Sequence, residues 1–253
     1  MGQERYDEKL LVRGYLYAKE EDPMLFLGLG PQILYLLVAL LVALTIHEAS
    51  HSLVAYWLGD PTSKNMGRLS LNPFAHLDLF GTLMILAVGL GWGKPVQINP
   101  DKLKPGPRIG MALVAIAGPI SNLLLAAIVS IPLRFHWVSL LPQRIWGTDL
   151  LPFDLPLFSF GMLLAYIIFI SLGLAVFNLI PINPLDGSRL WQIILPIRWY
   201  MRIAQIELIG LALVIGLVLS DRFLGTNMLM SILGPPINWL WRQFVGMSPV
   251  IPI

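Results

Sequence analysis

The chain has 253 residues, of which 56% are apolar and only 13% charged, where soluble domains carry about a quarter charged residues. Its 17 Lys and Arg against 15 Asp and Glu leave a formal charge of +2, too small and too scattered to point to a nucleic-acid partner. The absence of cysteine excludes a disulfide framework, a thiolate metal site and a cysteine nucleophile. A single integral membrane domain is the expectation.

Residues 1–30 mix acids and bases (Glu4, Arg5, Asp7, Glu8, Lys9; Lys19, Glu20, Glu21, Asp22) and read as an amphipathic or loose arm without the short basic start of a secretory signal. Apolar residues then run from Ile33 to Leu44 and, past Thr45, His47, Glu48, Ser50, His51 and Ser52, on to Leu58. A helix from Pro31 to Leu58 would be about 42 Å long, enough to cross a bilayer. Further apolar blocks follow at Leu79–Leu90, Ile109–Leu133, Leu157–Ile180, Ile203–Leu219 and Asn227–Val245. The first is short, and glycines 81, 89, 91 and 93 flank it before the Trp92–Pro100 stretch with its β-type alternation. Irregular backbone at membrane depth must be covered by protein, so this block reads as a re-entrant segment leading into a β-hairpin. Gly234-Pro235-Pro236 predicts a kink or helix end in the last block. The fold class is therefore all-α, a polytopic transmembrane bundle of about five or six spans with a short re-entrant segment and β-hairpin. It divides into the arm (1–30), a core (31–200) and carboxy-terminal transmembrane helices (201–253). No internal repeat is visible.

The chemistry centres on His47-Glu48-Ala49-Ser50-His51. A spacing of four puts both imidazoles on one helix face, where they can share Zn²⁺, with Glu48 beside the pair to take a proton from water. Such a pattern also arises by chance in helix bundles, but three ionisable groups inside a membrane span are costly without a partner such as a metal. Two histidines do not complete a zinc site. Val54 stands where the glycine of an extended three-histidine motif would be, and Glu207 is the only glutamate after His51. His76, His136 and several aspartates remain. Of these Asp186 has the strongest context, in Asn178-Leu179-Ile180-Pro181-Ile182-Asn183-Pro184-Leu185-Asp186-Gly187-Ser188-Arg189, although Asn-Pro and Asp-Gly pairs also favour a plain turn. His76 and Asp78 read as a surface pair at the membrane boundary, with a second ion as the alternative. His136 beside Trp137 reads as an interfacial residue.

The histidine pair with its glutamate, Ala117-Gly118-Pro119-Ile120-Ser121-Asn122, and the Asn178–Arg189 stretch come in one order from about Pro31 to Pro196. Together they resemble the site-2 protease family of intramembrane zinc metalloproteases. Leu71-Asn72-Pro73-Phe74-Ala75-His76-Leu77-Asp78 and Gly91-Trp92-Gly93-Lys94-Pro95-Val96 resemble its small subgroup without a PDZ domain. The resemblance implies that His47, His51 and Asp186 hold one zinc per chain and that Glu48 is the catalytic base. It also implies that Asn122 and Asn178 line the cleft, binding the substrate backbone or the oxyanion; an interhelical hydrogen bond is the other use of such amides.

Zinc ligands must meet at one depth, which asks for an outside amino terminus and a Leu79 block that enters and returns. Ten Lys and Arg then lie on the cytoplasmic side and seven outside, a weak positive-inside bias. A crossing block would divide them twelve to five, which suits charge better and the zinc worse. The expected protein is multi-pass, in the cell membrane, with its active site toward the cytoplasm. It would hydrolyse peptide bonds within or near transmembrane segments of membrane-protein substrates. Thr45, Ser50, Ser52 and the Gly-rich hairpin would form the wet cleft. Val96, Gln97 and Ile98 would accept the unwound substrate by strand addition. Substrate and lipid are the expected partners, with a homo-oligomer left open. The alternative is a metal-binding or transport protein using the same cluster, against which the lack of two related halves counts. A family member that binds without cutting would not need Glu48.

Overall fold

The computed structural model describes residues 32–78, 81, 93–104, 106–138, 140, 159–194 and 207–247. The arm (1–30), Trp92, and nearly all of the Leu79–Leu90 block lie outside these residues. The helices described are α1 (Gln32–Trp57), α2 (Thr62–Asn65), α3 (Pro107–Arg134), α4 (Phe160–Asn178), α5 (Asp186–Ile194), α6 (Glu207–Leu224) and α7 (Met228–Val245). Three of them, α1, α3 and α4, are long and apolar enough to cross a membrane. Their 26, 28 and 19 residues give lengths of about 39, 42 and 28 Å against a hydrocarbon core of about 30 Å. The full count of five or six spans is not seen among the described residues.

These three helices pack together, and the reason is written in α3. Its inward stripe is small or polar (Ala112, Ala115, Gly118, Asn122, Ala126, Ser130), while Leu113, Ile120, Leu124 and Ile128 are exposed. Water offers no drive for helix association inside lipid, so close backbone approach across small residues does that work. The Tyr35 hydroxyl accepts the Ser159 N–H at 2.6 Å, joining the starts of α1 and α4. At the other end Lys104 N–H donates to Leu58 O at 2.8 Å, and Leu103 packs with Ala55 and Val114, joining the end of α1 to the start of α3. Thus α1 and α4 run in parallel and α3 runs back between them.

Fully buried Asp60 ties the Leu58 end together. One oxygen accepts from Thr62 N–H at 3.0 Å and from the Thr62 hydroxyl at 2.5 Å, and the other from Asn99 N–H at 2.6 Å. The flanks of the Leu79–Leu90 block lie side by side, because Leu77 and Gly93 form an antiparallel bridge and Lys94 N–H donates to His76 O at 2.7 Å. Leu77 and Gly93, on either side of that block, therefore sit at one level. No β-strand exists among the described residues, and of the expected hairpin only this bridge is formed. Pro95 and Pro100 lack the N–H a ladder needs.

Beside α3 and α4, α7 buries Leu233, Ile237, Trp241 and Val245 against Leu164, Ile168 and Leu172 of α4 and Ala126 and Leu133 of α3. Arg134 at the end of α3 donates to the carbonyls of Gln243 and Phe244 at 2.5 and 3.2 Å, capping α7. The helix continues through exposed Pro235 and Pro236 instead of ending there. Burial of the flanking apolar residues holds it together across the hydrogen bonds that proline removes.

Candidate metal centre

His47 and His51, four residues apart on α1, bring their rings to 4.6 Å between centroids at 90°. Both are buried. Asp186, first residue of α5, comes to them from the far end of α4: its Oδ2 is 3.0 Å from His47 Nε2 and 3.2 Å from His51 Nε2. The turn that delivers it folds tightly under α4. A Cβ at Gly187 would run into the carbonyl oxygens of Leu179 and Ile180, so only glycine fits there. Arg108 holds the other end of α5, donating to Ile193 O at 3.0 Å.

The opposing wall is α3. Its Gly118 lies so close that a Cβ would stand 2.6 Å from His47 Nε2 and 2.6 Å from His51 Cε1. Pro119 follows inside the helix, where it removes a backbone hydrogen bond and disturbs the preceding turn. That turn offers Val114 O to His51 Nδ1 at 2.7 Å. Asn122, fully buried one turn further on, sets its amide Nδ2 3.2 Å from His47 Nδ1.

These residues fit a bound zinc. The three donor atoms lie within 4.8 Å of one another, and two ligands each about 2 Å from a tetrahedral zinc stand about 3.3 Å apart. The protonation pattern agrees. Since Val114 O can only accept, His51 Nδ1 carries a hydrogen, which leaves the Nε2 of a neutral ring with a lone pair aimed at an anionic carboxylate. A cation between them turns that repulsion into coordination.

Glu48 neighbours this cluster, half-buried, with no hydrogen-bond partner for its carboxylate among the described residues. Asn178 spends its amide on Leu174 O of its own helix at 3.0 Å. Ser50 does likewise, donating to Ile46 O at 2.6 Å, whereas Ser52 is buried with a hydroxyl that has no partner among the described residues. Ile98 packs against the Ala55–Leu103–Val114 cluster, with Gln97 exposed and Val96 half-buried. His76 is not the surface residue expected from its position: it is fully buried, with Nε2 2.8 Å from Ser70 O, because the Ser70–Leu77 loop folds around it. Asp78 accepts Gly81 N–H at 2.8 Å. Exposed His136, two residues past the end of α3, adopts a left-handed conformation beside Trp137.

Two contributors escape a reading of side chains alone. Val114 acts through its carbonyl, which no residue type signals. Gly118 acts by having no side chain; it stands in the Ala117–Asn122 stretch, but nothing in that stretch tells that the rings pack on it.

The description "Peptidase family M50" matches residues 154–220, the part holding Asn178 and Asp186. A Bacillus subtilis (strain 168) protein named "Putative zinc metalloprotease YwhC" is 39% identical over 212 residues, 83% of this chain and 90% of the relative. The "Putative zinc metalloprotease Rip2" of Mycolicibacterium smegmatis is 26% identical across 68% of this chain and 61% of its own length. Rip2 of Mycobacterium tuberculosis (strain H37Rv) is 27% identical over the same shares. No solved structure matches the chain. With three helices fit to cross a membrane and a His-His-Asp cluster among them, the chain belongs to peptidase family M50, the site-2 proteases, and is an intramembrane zinc metalloprotease.

Proposed function

We propose that His47, His51 and Asp186 are the zinc ligands, that Glu48 is the general base, and that residues 31–200 form the protease core. The observation that carries this reading is the convergence of both Nε2 atoms on one Asp186 oxygen, at 3.0 and 3.2 Å, inside a bundle of apolar helices. Zinc, when bound, acidifies water toward a pKa of about 7 and polarises a scissile carbonyl. Glu48 accepts the proton of the attacking water and hands it to the leaving amine. Free of other hydrogen bonds among the described residues, its carboxylate is available for both transfers. Asn178 lines the cleft at the end of α4.

The substrate is the transmembrane segment of another membrane protein, cut within or near the bilayer. It docks in extended form beside Val96, Gln97 and Ile98. Leu44, Glu48, His51 and Ala55 fall on one stripe of α1, at steps of four, three and four residues. A Cβ on Gly93 would come 3.1 Å from Leu44, while Ile98 packs against the cluster containing Ala55. The strand-like segment between them thus follows the stripe that carries Glu48. The catalytic end of the bundle faces the cytoplasm, since Lys94, Lys102, Lys104 and Arg108 gather on the connection that leads into α3 there.

The test is the purified chain in proteoliposomes with a transmembrane-peptide reporter. Wild type cleaves it and Gln97→Pro, which removes one N–H from the docking segment, cuts cleavage at least tenfold while keeping zinc. Unchanged turnover by Gln97→Pro would overturn strand docking. Zinc flux without cleavage by wild type would overturn the protease.

A further inference from the structure

We infer that Asn122 is a positioning residue of the metal centre, its amide oxygen accepting the Nδ1–H of His47 and committing His47 Nε2 to the metal. This rests on the zinc reading and replaces a substrate-binding role for this residue.

Asn122 is fully enclosed, its amide stands 3.2 Å from His47 Nδ1, and its other amide atom, Oδ1, has no hydrogen-bond partner among the described residues. As the amide stands, Nδ2 donates to a bare Nδ1, which puts the ring hydrogen on Nε2 and points it at Asp186 Oδ2 3.0 Å away. That tautomer suits a metal-free ring. A metal on Nε2 needs the lone pair there, so the hydrogen must sit on Nδ1 and its neighbour must accept. Half a turn about the Cβ–Cγ bond exchanges the amide oxygen and nitrogen in nearly the same space. Because Oδ1 now has no partner, the turn breaks no bond on that side. His47 is then held as His51 already is, each Nδ1–H on a fixed oxygen of α3: Asn122 Oδ1 for one, Val114 O at 2.7 Å for the other. Both acceptors lie on the helix whose Gly118 lets the rings approach. Acceptors of this kind orient metal-bound imidazoles and raise their basicity, and losing one costs about 10- to 100-fold in metal affinity or activity. A group that only held substrate would not be walled off beside a ligand's distal nitrogen.

The experiment measures Zn²⁺ affinity of the full-length chain in detergent, by competition with a chromophoric chelator, for wild type, Asn122→Leu and Asn122→Asp. The inference expects Asn122→Leu to bind zinc about 10- to 100-fold more weakly, yet to fill one site at saturating Zn²⁺. Asn122→Asp, which keeps an acceptor, should bind within a few-fold of wild type. Nitrogen-15 NMR of labelled histidine should show one zinc-bound ring with hydrogen on Nδ1 that loses this single tautomer in Asn122→Leu. If Asn122→Leu does not fold, weak binding by Asn122→Asp would itself overturn the inference. Wild-type zinc affinity in Asn122→Leu with reduced cleavage would overturn it in favour of substrate contact. Absence of zinc binding by wild type would remove the zinc reading beneath it.

Discussion

Gly118 shows how narrow the tolerances at the centre are. Any side chain there meets His47 Nε2 and His51 Cε1 at 2.6 Å, well inside van der Waals contact. Gly118→Ala should therefore force the rings off the geometry that Asp186 completes. Isothermal titration with Zn²⁺ should show affinity reduced at least tenfold while the helical circular dichroism is retained; unaltered affinity would mean that α3 does not bound the site. At this scale the histidine pair is legible from its spacing of four, since helical geometry alone puts the rings on one face. Asp186 had strong local context, but spacing could not bring together residues 139 positions apart. Val114 O and the emptiness at Gly118 belong to α3's backbone, and only its packing against α1 reveals them.

Among the elements, the Asp60 junction keeps α1 aligned with α3. Burial opposes ionisation of Asp60, but the Thr62 hydroxyl, the Asn99 and Thr62 N–H groups and nearby Lys102 prevail and hold its carboxyl below the usual carboxylate range. A carboxyl depressed on folding stabilises the native state above its unfolded pKa, and that contribution fades as pH falls through the native one. Thermal unfolding of wild type should thus lose ground to Asp60→Asn as the solution is taken below about pH 4. Asp60→Asn should be the less stable of the two at neutral pH. A stability gap that stays constant across that range would contradict the assignment. The helices themselves are legible as apolar runs: α1, α3 and α4 lie within or close to the blocks expected for them. Where sequence and structure part, tertiary packing decides. α7 passes through Pro235 and Pro236 because Leu233, Ile237 and Trp241 are anchored on both sides of them. His76 reads from the sequence as a boundary residue paired with Asp78, yet it is fully buried with its ring on Ser70 O.

For the whole molecule, parallel α1 and α4 with α3 reversed put Asp60, Lys102 and Arg108 at the metal end and Arg134 with Trp137 at the other. Because the chain has no cysteine, one introduced at a time can be labelled without a background. With an impermeant maleimide, Asp101→Cys should label only from the cytoplasmic face and Trp137→Cys only from outside; the reverse pattern would invert the proposed orientation. Loop charge alone could not decide this, since a crossing Leu79 block divides Lys and Arg better than a re-entrant one. The adjacency of Leu77 and Gly93 is likewise invisible in composition.

The most direct test of the zinc-protease mechanism is zinc content measured beside reporter cleavage in wild type, Glu48→Gln and Asp186→Ala. Wild type should carry one zinc and cleave. Glu48→Gln should keep its zinc and lose about 10²- to 10⁴-fold in turnover, the usual contribution of a general base. Asp186→Ala should lose both zinc and cleavage. Full zinc in Asp186→Ala, or undiminished turnover in Glu48→Gln, would contradict it.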